Sequence, residues 1–594
     1  MPTISLGRDK LFSHIGKSFT DQDFDELCFS FGIELDDITS ERQSSATMSH
    51  QGLSEEVIYK IEIPANRCDL LCLEGLSRAL RVFLGLESIA PFELTQPLRK
   101  IIVAPELSTV RPFVVGAVLR CEKPLSLSAY ESFISMQDKL HGNVCRKRTL
   151  VSIGTHDLDK IAPGPIRCCA LKPSQIKFIP LGQKHEFQAD ALRQHYAEHD
   201  LYLRQFIHII NDSPLYPVFL DAKGEVLSLP PIVNSEYSKI TPLQTKNIFV
   251  EICAVDLTKA KLVLDVLTTA FSQYCVDGKI EQIEVEYEDK THSAASGIYP
   301  QWRQSARTIP VSLPYINSKV GISLGSTQEL QQILHKMGLP SKKIGESEVL
   351  VAVPANRPDI LHLCDVMEDA AIGYGFNSIA KTLPKCCTIG AEQPLSKLTD
   401  ALRRELAFAC FDEILTLTLC SKDENYSHLD RVAVAGVNEA VVLSNPQTVE
   451  FEIVRTSLLP GTLKTVACNK SMPLPMKLFE VSDVVVLDAA SEVGARNERH
   501  LICLMADAGS SGLEVIRAML NRLMAVLAVK AEEWAVVDAA AECTDGAFFP
   551  GRRAAVHVRG SVVGVFGCVH PEALEKYGIP FACSALEMNI EPFL

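Results

Sequence analysis

The sequence IPANRCDLL at residues 63–71 returns as VPANRPDIL at residues 353–361. The similarity continues downstream to Gly85 in the first copy and to Gly375 in the second. In each copy a strand-like apolar segment leads into the motif, and a segment with helical apolar periodicity follows it. Self-similarity over this length indicates that a whole structural unit has been duplicated.

The length of 594 residues exceeds what one hydrophobic core supports, so several domains are expected. The pattern of short strands and amphipathic helices predicts a multidomain α+β protein. The two copies of the repeat predict small α/β modules, whereas the last segment predicts a mainly antiparallel sheet with helices against it. The expected domains are a first repeat module at 1–95, a β-rich α+β domain at 110–280, a second repeat module at 302–380 and a C-terminal domain at 387–594.

The net charge and the cysteine content limit which partners and which cellular compartment are expected for the protein. The formal net charge of −15 argues against non-specific nucleic-acid binding by the chain as a whole, although a local stripe such as Arg146-Lys147-Arg148 can serve an RNA partner. We interpret that stripe as ordinary solvated surface. The 19 cysteines form no CxxC pair and the N-terminus has no leader-like pattern, which predicts reduced thiols and a cytoplasmic location. The polar loop 36–56, largely missing from the second copy, is expected to be a surface insertion.

The repeated motif is first of all a folding device. Asp69 and Asp359 follow the Pro-Ala-Asn-Arg segment and precede the helix, so we expect each to cap that helix through its orphan N–H groups. Leucine, isoleucine and valine then recur with helical spacing and supply a face for the core.

The two copies diverge on the surface of that helix. The second copy carries Asp365, Glu368 and Asp369, which the i, i+3 and i+4 spacing brings onto one face. The first copy has Gly75, Arg78 and Ala79 at the same positions. Carboxylates this close repel, so the pattern is typical of a site that binds a cation such as Mg²⁺ or a basic partner, or else of a solvated acidic stripe.

Five segments make the chain recognisable. They are VPANRPDILHLCDVMEDAAIGYGFN at 353–377, GTHDL at 154–158, PSQIKF at 173–178, PPIVN at 230–234 and RTSLLPG at 455–461. Together with the duplicated unit, they resemble the beta subunits of the eukaryotic and archaeal cytosolic phenylalanyl-tRNA synthetases, over essentially the whole chain.

This resemblance implies an α2β2 heterotetramer that uses ATP, bound by the alpha subunit, to join phenylalanine to tRNA(Phe). It also implies a Mg²⁺ site built from acids at the positions of Asp359, Asp365, Glu368 and Asp369. Because Asp359 stands at the start of the helix, the four would not form one tight cage, and a hydrated ion or a basic partner surface fits the spacing as well.

The C-terminal domain is similar to a class II synthetase fold that has lost its catalytic arginines. Leu478 stands where that pattern has arginine two residues before Glu480, and no arginine follows the segment 564–571. A reaction that needs arginines to bind triphosphate therefore has no support here, and we expect a packing platform for the alpha subunit.

The region 110–280 resembles the family's editing domain, which hydrolyses tRNA(Phe) mischarged with tyrosine. The matching positions are Glu251, expected to accept the phenol proton, and Ser228, expected to help place the ester. Phe219 or Leu220 would line the pocket. A water or a hydroxyl of the tRNA would be the nucleophile. His156-Asp157 is interpreted as a capping or turn element.

Two functions of different class follow from the sequence. The first is a beta subunit of phenylalanine–tRNA ligase that contributes editing, tRNA contacts and subunit assembly. The second is a non-enzymatic RNA-binding or scaffold protein built from the same modules.

Overall fold

The computed structural model describes residues 2–40, 56–289, 292–302, 307–383, 386, 390–432, 439–538 and 545–594. It divides into two compact units, Met1–Leu383 and Pro384–Leu594. Most of the predicted loop 36–56 lies outside the described residues. Among the helices that are described, none combines the length and the apolar character needed to cross a membrane.

The two copies of the repeat fold in the same way. The first copy comprises β1 (Thr3–Gly7), α1 (Arg8–Ile15), α2 (Asp21–Phe31), β2 (Glu34–Ser40), β3 (Val57–Glu62) and α3 (Leu73–Phe83). Its described strands form an antiparallel sheet in the order β1-β3-β2. Aromatic rings of Phe12, Phe24 and Tyr59 pack beneath this sheet, with centroids 5.1 to 5.9 Å apart.

Between the copies lies a large mixed sheet. Its elements are β4 (Glu93–Val103), β5 (Phe113–Arg120), α4 (Leu127–Gly142), β6 (Val151–Asp157), β7 (Ile166–Leu171), β8 (Lys177–Phe178), β9 (Phe187–Gln188), α5 (Ala189–His199), β10 (Tyr216–Leu220), β11 (Val226–Leu229), β12 (Val233–Asn234), β13 (Asn247–Ala254), α6 (Leu257–Phe271), β14 (Lys279–Tyr287) and β15 (Gly297–Tyr299). The described strands of the sheet follow the order β12-β11-β10-β7-β4-β14-β5-β13-β6, with β15 paired to β14 and β8 paired to β9 apart from it.

The strands of this sheet come from a longer stretch of sequence than the predicted domain at 110–280. β4 precedes residue 110, and β14 and β15 extend past residue 280. β4 pairs in parallel with both β14 and β7, so it joins two antiparallel parts of the sheet. Local periodicity does not reveal such a pairing, because its partners are distant in the chain.

The two ends of the sheet approach one another. Asn234 on β12 donates through Nδ2 to the carbonyl oxygen of Thr155 on β6, at 3.3 Å. Helices α4 and α6 cover the part of the sheet formed by β5, β13 and β6. Their Phe133 and Phe271 rings meet edge to face, with centroids 4.9 Å apart. The sheet therefore curls, and side chains from β11 and β13 face each other across its interior.

The second copy comprises β16 (Arg307–Ser312), α7 (Leu313–Val320), α8 (Thr327–Lys336), β17 (Ser341–Lys343), β18 (Glu348–Val353) and α9 (Leu363–Tyr374). Its described strands pair in the order β16-β18-β17, which matches β1-β3-β2 of the first copy. The copies also exchange contacts reciprocally, since α2 packs on α9 and α3 packs on α8. The repeated sequence thus corresponds to a repeated fold, as predicted.

The predicted capping role of Asp69 and Asp359 is wrong. α3 is capped by Cys72 and α9 by His362, each three residues further along the chain. Asp69 lies in a short 3₁₀ turn, where both of its oxygens accept from Arg67 at 2.9 Å. The acid binds the arginine of its own motif, so the motif closes a turn before the helix begins.

The second unit contains a long curved sheet. Its elements are α10 (Pro394–Phe408), β19 (Asp412–Glu413), β20 (Leu419–Cys420), α11 (Lys422–Asn425), β21 (Ile453–Val454), α12 (Leu459–Cys468), β22 (Met476–Leu487), β23 (Ala495–Asp507), α13 (Leu513–Val526), β24 (Trp534–Asp538), β25 (Phe548–Val558), β26 (Ser561–Val569), α14 (Pro571–Lys576) and β27 (Ala582–Asn589).

Within the described part of this unit, the sheet order is β19-β22-β23-β27-β26-β25-β24. Every pairing in it is antiparallel except β19 with β22. Helices α10 and α13 pack on one face of this sheet and α12 on the other. The mainly antiparallel sheet with helices against it is as predicted.

Candidate active site

Glu251 is a buried carboxylate in the middle of a β-strand. It lies on β13, is 1 % exposed, and is flanked by Gly116 on β5 and Gly154 on β6. A Cβ on Gly154 would stand 2.3 Å from Glu251 Oε1, so the glycine provides the room that the carboxylate occupies. A charged group placed this deeply needs polar partners, because burial without them is costly.

Two neighbours approach one oxygen of that carboxylate. The hydroxyl of Ser228 on β11 donates to Glu251 Oε1, which brings together the two residues expected at the editing site. His156 Nε2 lies 3.6 Å from the same oxygen, and its Nδ1 contacts Ser238 Oγ at 2.8 Å. His156 is fully buried on β6, so the interpretation as a turn element is wrong for His156. It is confirmed for Asp157, which ends β6 and accepts from the N–H of Asp159 through Oδ1 at 3.1 Å.

Glu251 and Ser228 line a cavity of about 410 Å³, which lies between the curled ends of the sheet and α4. Four buried atoms of its lining residues have no hydrogen-bond partner among the described residues. These atoms are Glu251 Oε2, His141 Nδ1, Gln137 Oε1 and Arg148 Nε. Native proteins pair nearly all such atoms, so their concentration around one cavity is typical of a site that a polar ligand completes.

Arg148 supports the wall of this cavity. Its Nη1 donates to the carbonyl oxygens of Pro231 and Ile232, at 3.2 and 3.0 Å. The guanidinium carbon also lies 4.1 Å from the centre of the Phe206 ring. Although Arg146 and Lys147 are exposed, the interpretation of the whole stripe as solvated surface is wrong for Arg148.

Sequence reasoning missed Gln137 and His141, which lie one turn apart on α4. Their i, i+4 spacing was available in the sequence, but nothing local links it to β6. The family resemblance also implied that Phe219 or Leu220 would line the pocket. Phe219 is instead fully buried in the core, and Leu181, Ile134 and Ile240 supply apolar wall to the cavity.

The predicted acidic site of the second module is organised around an arginine. Arg357 is 2 % exposed, and its Nη2 lies 2.7 Å from oxygens of both Asp359 and Asp369. Its Nη1 donates to the carbonyl oxygen of Met337 at 2.7 Å. Burial opposes its charge, but the two carboxylates outweigh burial and raise the pKa of Arg357 above its usual value. Asp359 and Asp369 therefore share one cation of the chain itself, although burial still raises the pKa of Asp369 above its usual value.

The other two acids have different positions. Asp365 Oδ2 accepts from the backbone N–H groups of Leu361 and His362, both at 2.7 Å, so it caps α9. Glu368 is exposed. Across the described ranges, no three Asp, Glu, His or Cys side chains form a group suited to a metal ion. The expectation that Asp359, Asp365, Glu368 and Asp369 share one Mg²⁺ does not fit this arrangement.

In the second unit, the positions that a class II catalytic pattern would use take part in internal contacts instead. Glu480 on β22 accepts from Arg455 Nη1 at 3.1 Å and from Thr416 Oγ1 at 2.6 Å. Leu478, at the position where arginine would be expected, is 8 % exposed and belongs to the core. These side chains hold the sheet and its neighbouring segments together.

A second charged cluster lies on the same sheet. His500 Nδ1 contacts Glu587 Oε1 at 3.0 Å, and its Nε2 contacts Glu498 Oε2 at 3.3 Å. Burial opposes the charge on His500, but its bonds to the two glutamates raise its pKa to about 9. Burial likewise opposes the charge on Glu587, yet the hydrogen bond and charge of His500 lower its pKa to about 2. The pair is ionised at neutral pH.

Comparison with known proteins matches three family models to this chain. Residues 1–86 match the Phe-tRNA synthetase beta subunit B1 domain, 309–376 the tRNA synthetase B5 domain, and 379–590 the phenylalanyl tRNA synthetase beta chain CLM domain. The phenylalanine–tRNA ligase beta subunit of Mus musculus is 45 % identical over 603 residues, which cover all of both chains. This chain belongs to the phenylalanine–tRNA ligase beta subunit family.

Other members of the family agree over the same span. The beta subunit from Arabidopsis thaliana, whose name includes the word cytoplasmic, is 45 % identical, and the one from Saccharomyces cerevisiae is 41 % identical, each over the full length of both chains. An N-terminal fragment of the phenylalanyl-tRNA synthetase beta subunit from Pyrococcus horikoshii is similar in structure. Its TM-score is 0.55 at 30 % identity, covering 63 % of this chain and 99 % of the fragment.

Proposed function

We propose that this chain acts as the beta subunit of a phenylalanine–tRNA ligase in the cytoplasm. In an α2β2 heterotetramer, the alpha subunit binds ATP and attaches phenylalanine to tRNA(Phe), while this chain contributes tRNA contacts and the assembly surface. Support comes from identities of 41 to 45 % to eukaryotic beta subunits along the whole chain.

We further propose that the cavity bounded by β6, β11, β13 and α4 hydrolyses tRNA(Phe) mischarged with tyrosine. The observation that carries this proposal is Glu251 Oε2, a buried carboxylate oxygen with no partner among the described residues, at the wall of a cavity. Ser228 occupies the other oxygen of the same group, so Oε2 remains as the acceptor.

An acceptor of this kind distinguishes tyrosine from phenylalanine. The tyrosine hydroxyl donates to Glu251 Oε2 and satisfies it, whereas a phenylalanine ring leaves that oxygen buried and unpaired. A site built to bind a substrate hydroxyl rejects the analogue that lacks it far more strongly than an apolar pocket rejects an added hydroxyl. The correct product Phe-tRNA(Phe) is thereby spared.

The reaction itself is ester hydrolysis. A water oxygen, activated by a hydroxyl of the tRNA ribose, bonds to the tyrosyl carbonyl carbon. The bond from that carbon to the ribose oxygen breaks, and the ribose oxygen takes up a proton from the water. The roles of Glu251 and Ser228 are to orient the amino acid, and neither forms a covalent bond to it.

ATP and Mg²⁺ belong to the synthetic reaction of the proposed complex. Asp359, Asp365, Glu368 and Asp369 are not among the residues that line the cavity of the proposed hydrolysis, so its mechanism involves no group bound at these residues.

The test is deacylation of Tyr-tRNA(Phe) by the complex of this chain with an alpha-type partner. Glu251→Ala removes a hydrogen bond to a charged group, worth about 1.5–3 kcal/mol, so we expect the rate to fall roughly 10- to 100-fold. Ser228→Ala should give a smaller loss, because Oε1 loses only its internal donor. Charging with phenylalanine should be unchanged in both.

Glu284→Ala is the matched control, because Glu284 lies exposed on β14, away from the cavity lining. It should deacylate Tyr-tRNA(Phe) as the unmodified complex does. Deacylation by Glu251→Ala at the unmodified rate would contradict the assignment of Glu251.

A further inference from the structure

α4 lies along the outer edge of β6, the last strand of the sheet. An edge strand presents N–H and C=O groups that need partners. The N–H of Ile153 donates to His141 Nε2 at 3.0 Å, and its carbonyl oxygen accepts from Gln137 Nε2 at 3.0 Å. Two side chains one helical turn apart therefore pair both groups of Ile153, as a neighbouring strand would.

This pairing assigns the proton of the imidazole. Because Nε2 accepts a hydrogen bond, the proton of neutral His141 lies on Nδ1. His141 is 4 % exposed, and burial together with the charges of Arg148 and Arg111 holds its pKa well below the usual range. The ring is therefore a neutral N–H donor at physiological pH.

The donor at Nδ1 has nothing to bind within the described chain. Nδ1 is buried without a hydrogen-bond partner there, while the ring it belongs to lines the same cavity as Glu251. Gln137 repeats the pattern with the opposite polarity, since its Nε2 is used on β6 and its Oε1 has no partner. One end of each side chain is thus satisfied by the fold, and the other end is left for a ligand.

An aminoacyl ester offers a matching acceptor. Its carbonyl oxygen accepts hydrogen bonds in the ground state and gains negative charge as water adds to the carbonyl carbon. A fixed N–H donor in a dry site stabilises that charge without reorganising. A neutral imidazole whose tautomer is set by the backbone meets this requirement.

We propose that His141 is a further catalytic residue of the deacylation site, whose Nδ1–H donates to the carbonyl oxygen of the aminoacyl ester. The proposal rests on the proposed hydrolysis of Tyr-tRNA(Phe) in this cavity. Gln137 complements His141 by accepting from the ammonium group of the same amino acid.

Two substitutions separate the two ring nitrogens. His141→Gln carries an amide oxygen at about the place of Nε2, so it keeps an acceptor for the Ile153 N–H and removes the donor into the cavity. His141→Asn carries an amide nitrogen at about the place of Nδ1, so it keeps that donor and loses the acceptor. Each is studied in the complex with the alpha-type partner, with Tyr-tRNA(Phe) as substrate.

For His141→Gln we expect kcat of deacylation to fall at least about tenfold, since single oxyanion donors contribute on the order of 10²–10³ in kcat. KM, the thermal midpoint and phenylalanine charging should be unchanged. His141→Asn should retain kcat within about threefold of the unmodified complex, on the same donor argument, and should unfold at a lower temperature because the Ile153 N–H loses its partner.

The contrary outcomes are distinct. Unmodified kcat in His141→Gln, a loss confined to KM, or equal losses of kcat in both variants would overturn the role of His141. If one of these outcomes occurs while Glu251→Ala is impaired in the same assay, the hydrolytic function stands and only the His141 inference falls. If the unmodified complex does not deacylate Tyr-tRNA(Phe), both fall together.

Discussion

Arg357 contacts two of the four acids that were expected to share a metal ion, Asp359 and Asp369. It holds Asp359 and Asp369 in a site from which water is largely removed. Removal of one partner from a buried ion pair leaves an uncompensated charge, which costs about 3–5 kcal/mol. We therefore predict that Arg357→Met lowers the free energy of unfolding of the first unit by about that amount.

Trp302 lies in the first unit, so its fluorescence in a Trp534→Phe background follows chemical unfolding there. Arg81→Met is the control, because its bridge to Glu87 is at the surface and should contribute below about 1 kcal/mol. Equal effects of the two substitutions would contradict the importance of the buried pair.

The same geometry makes a prediction about metal removal. If a divalent cation balanced Asp359 and Asp369, EDTA would unpair them and lower the thermal midpoint of the first unit. Since Arg357 already pairs with both carboxylates, we expect EDTA to leave that midpoint unchanged within about 1 °C, the effect of a few tenths of a kcal/mol. A larger drop, reversed by Mg²⁺, would restore the four-acid site.

The His500–Glu587 pair makes the stability of the second unit depend on pH. The pKa of His500 is about 9 in the folded chain and near 6.5 when unperturbed. Its contribution is therefore fully present below about pH 6.5 and is lost as pH rises through 9. We predict that the unmodified unit loses about 2 kcal/mol more than His500→Gln between pH 7 and pH 10.

Trp534 fluorescence in a Trp302→Phe background measures this difference, because Trp534 belongs to the second unit. If the free energy of unfolding depends on pH in the same way for the unmodified chain and for His500→Gln, the histidine charge does not stabilise the fold. On the acid side, the contribution of Glu587 is present above its unperturbed pKa of 4.5 and is lost as pH falls toward 2.

At the scale of elements, the pairing of β6 with β13 makes room for the carboxylate of Glu251. Gly154 stands directly opposite Glu251, and a Cβ there would meet its Oε1 at 2.3 Å and its Cγ at 2.7 Å. Gly154→Ala should displace the carboxylate, lower deacylation of Tyr-tRNA(Phe) at least about tenfold and destabilise the first unit by roughly 1–3 kcal/mol.

Gly142→Ala provides the matched control at the end of α4, because no heavy atom lies within 4 Å of a Cβ at that position. Alanine also favours a helix by about 0.5–1 kcal/mol relative to glycine, so stability should be equal or higher. Deacylation at the unmodified rate by Gly154→Ala would mean that the carboxylate can shift without loss of function.

Helices and strands with clear periodicity could be predicted from the sequence, and contacts between distant elements could not. α4 and α6 are helices of this kind, because their apolar spacing is local information. The bonds from His141 and Gln137 to Ile153 depend on where α4 lies against β6, which periodicity does not encode. Asp69 and Asp359 were misassigned as caps because a neighbouring arginine competes for the carboxylate.

The candidate site was predictable only in part. Ser228 and Glu251 follow from the family resemblance, and the structure brings them into hydrogen-bond contact. Nothing in their spacing predicts this contact, because β10, β7, β4, β14 and β5 separate β11 from β13 in the sheet order. The curl of the sheet closes that distance, and it depends on the tertiary fold as a whole.

At the scale of the whole molecule, the duplicated modules bracket the curled sheet within the first unit. Reciprocal packing of α2 on α9 and of α3 on α8 joins the two copies. The predicted order of modules along the chain follows from the repeat, whereas this cross-packing does not. Duplication therefore supplies a pair of complementary surfaces, and the cavity that contains Glu251 is built on the segment between them.

The absence of catalytic arginines from the C-terminal sequence pattern leads to the last prediction. Leu478 is packed in the core, and Glu480 is occupied by Arg455 and Thr416, so neither position is available to bind a triphosphate. The purified chain alone should therefore neither exchange pyrophosphate into ATP on addition of phenylalanine nor charge tRNA(Phe). Its complex with an alpha-type partner should do both, and Glu251→Ala should preserve them while Tyr-tRNA(Phe) accumulates. Adenylation by the isolated chain would contradict a non-synthetic role, and stable RNA binding with no partner and no charging would favour a scaffold function.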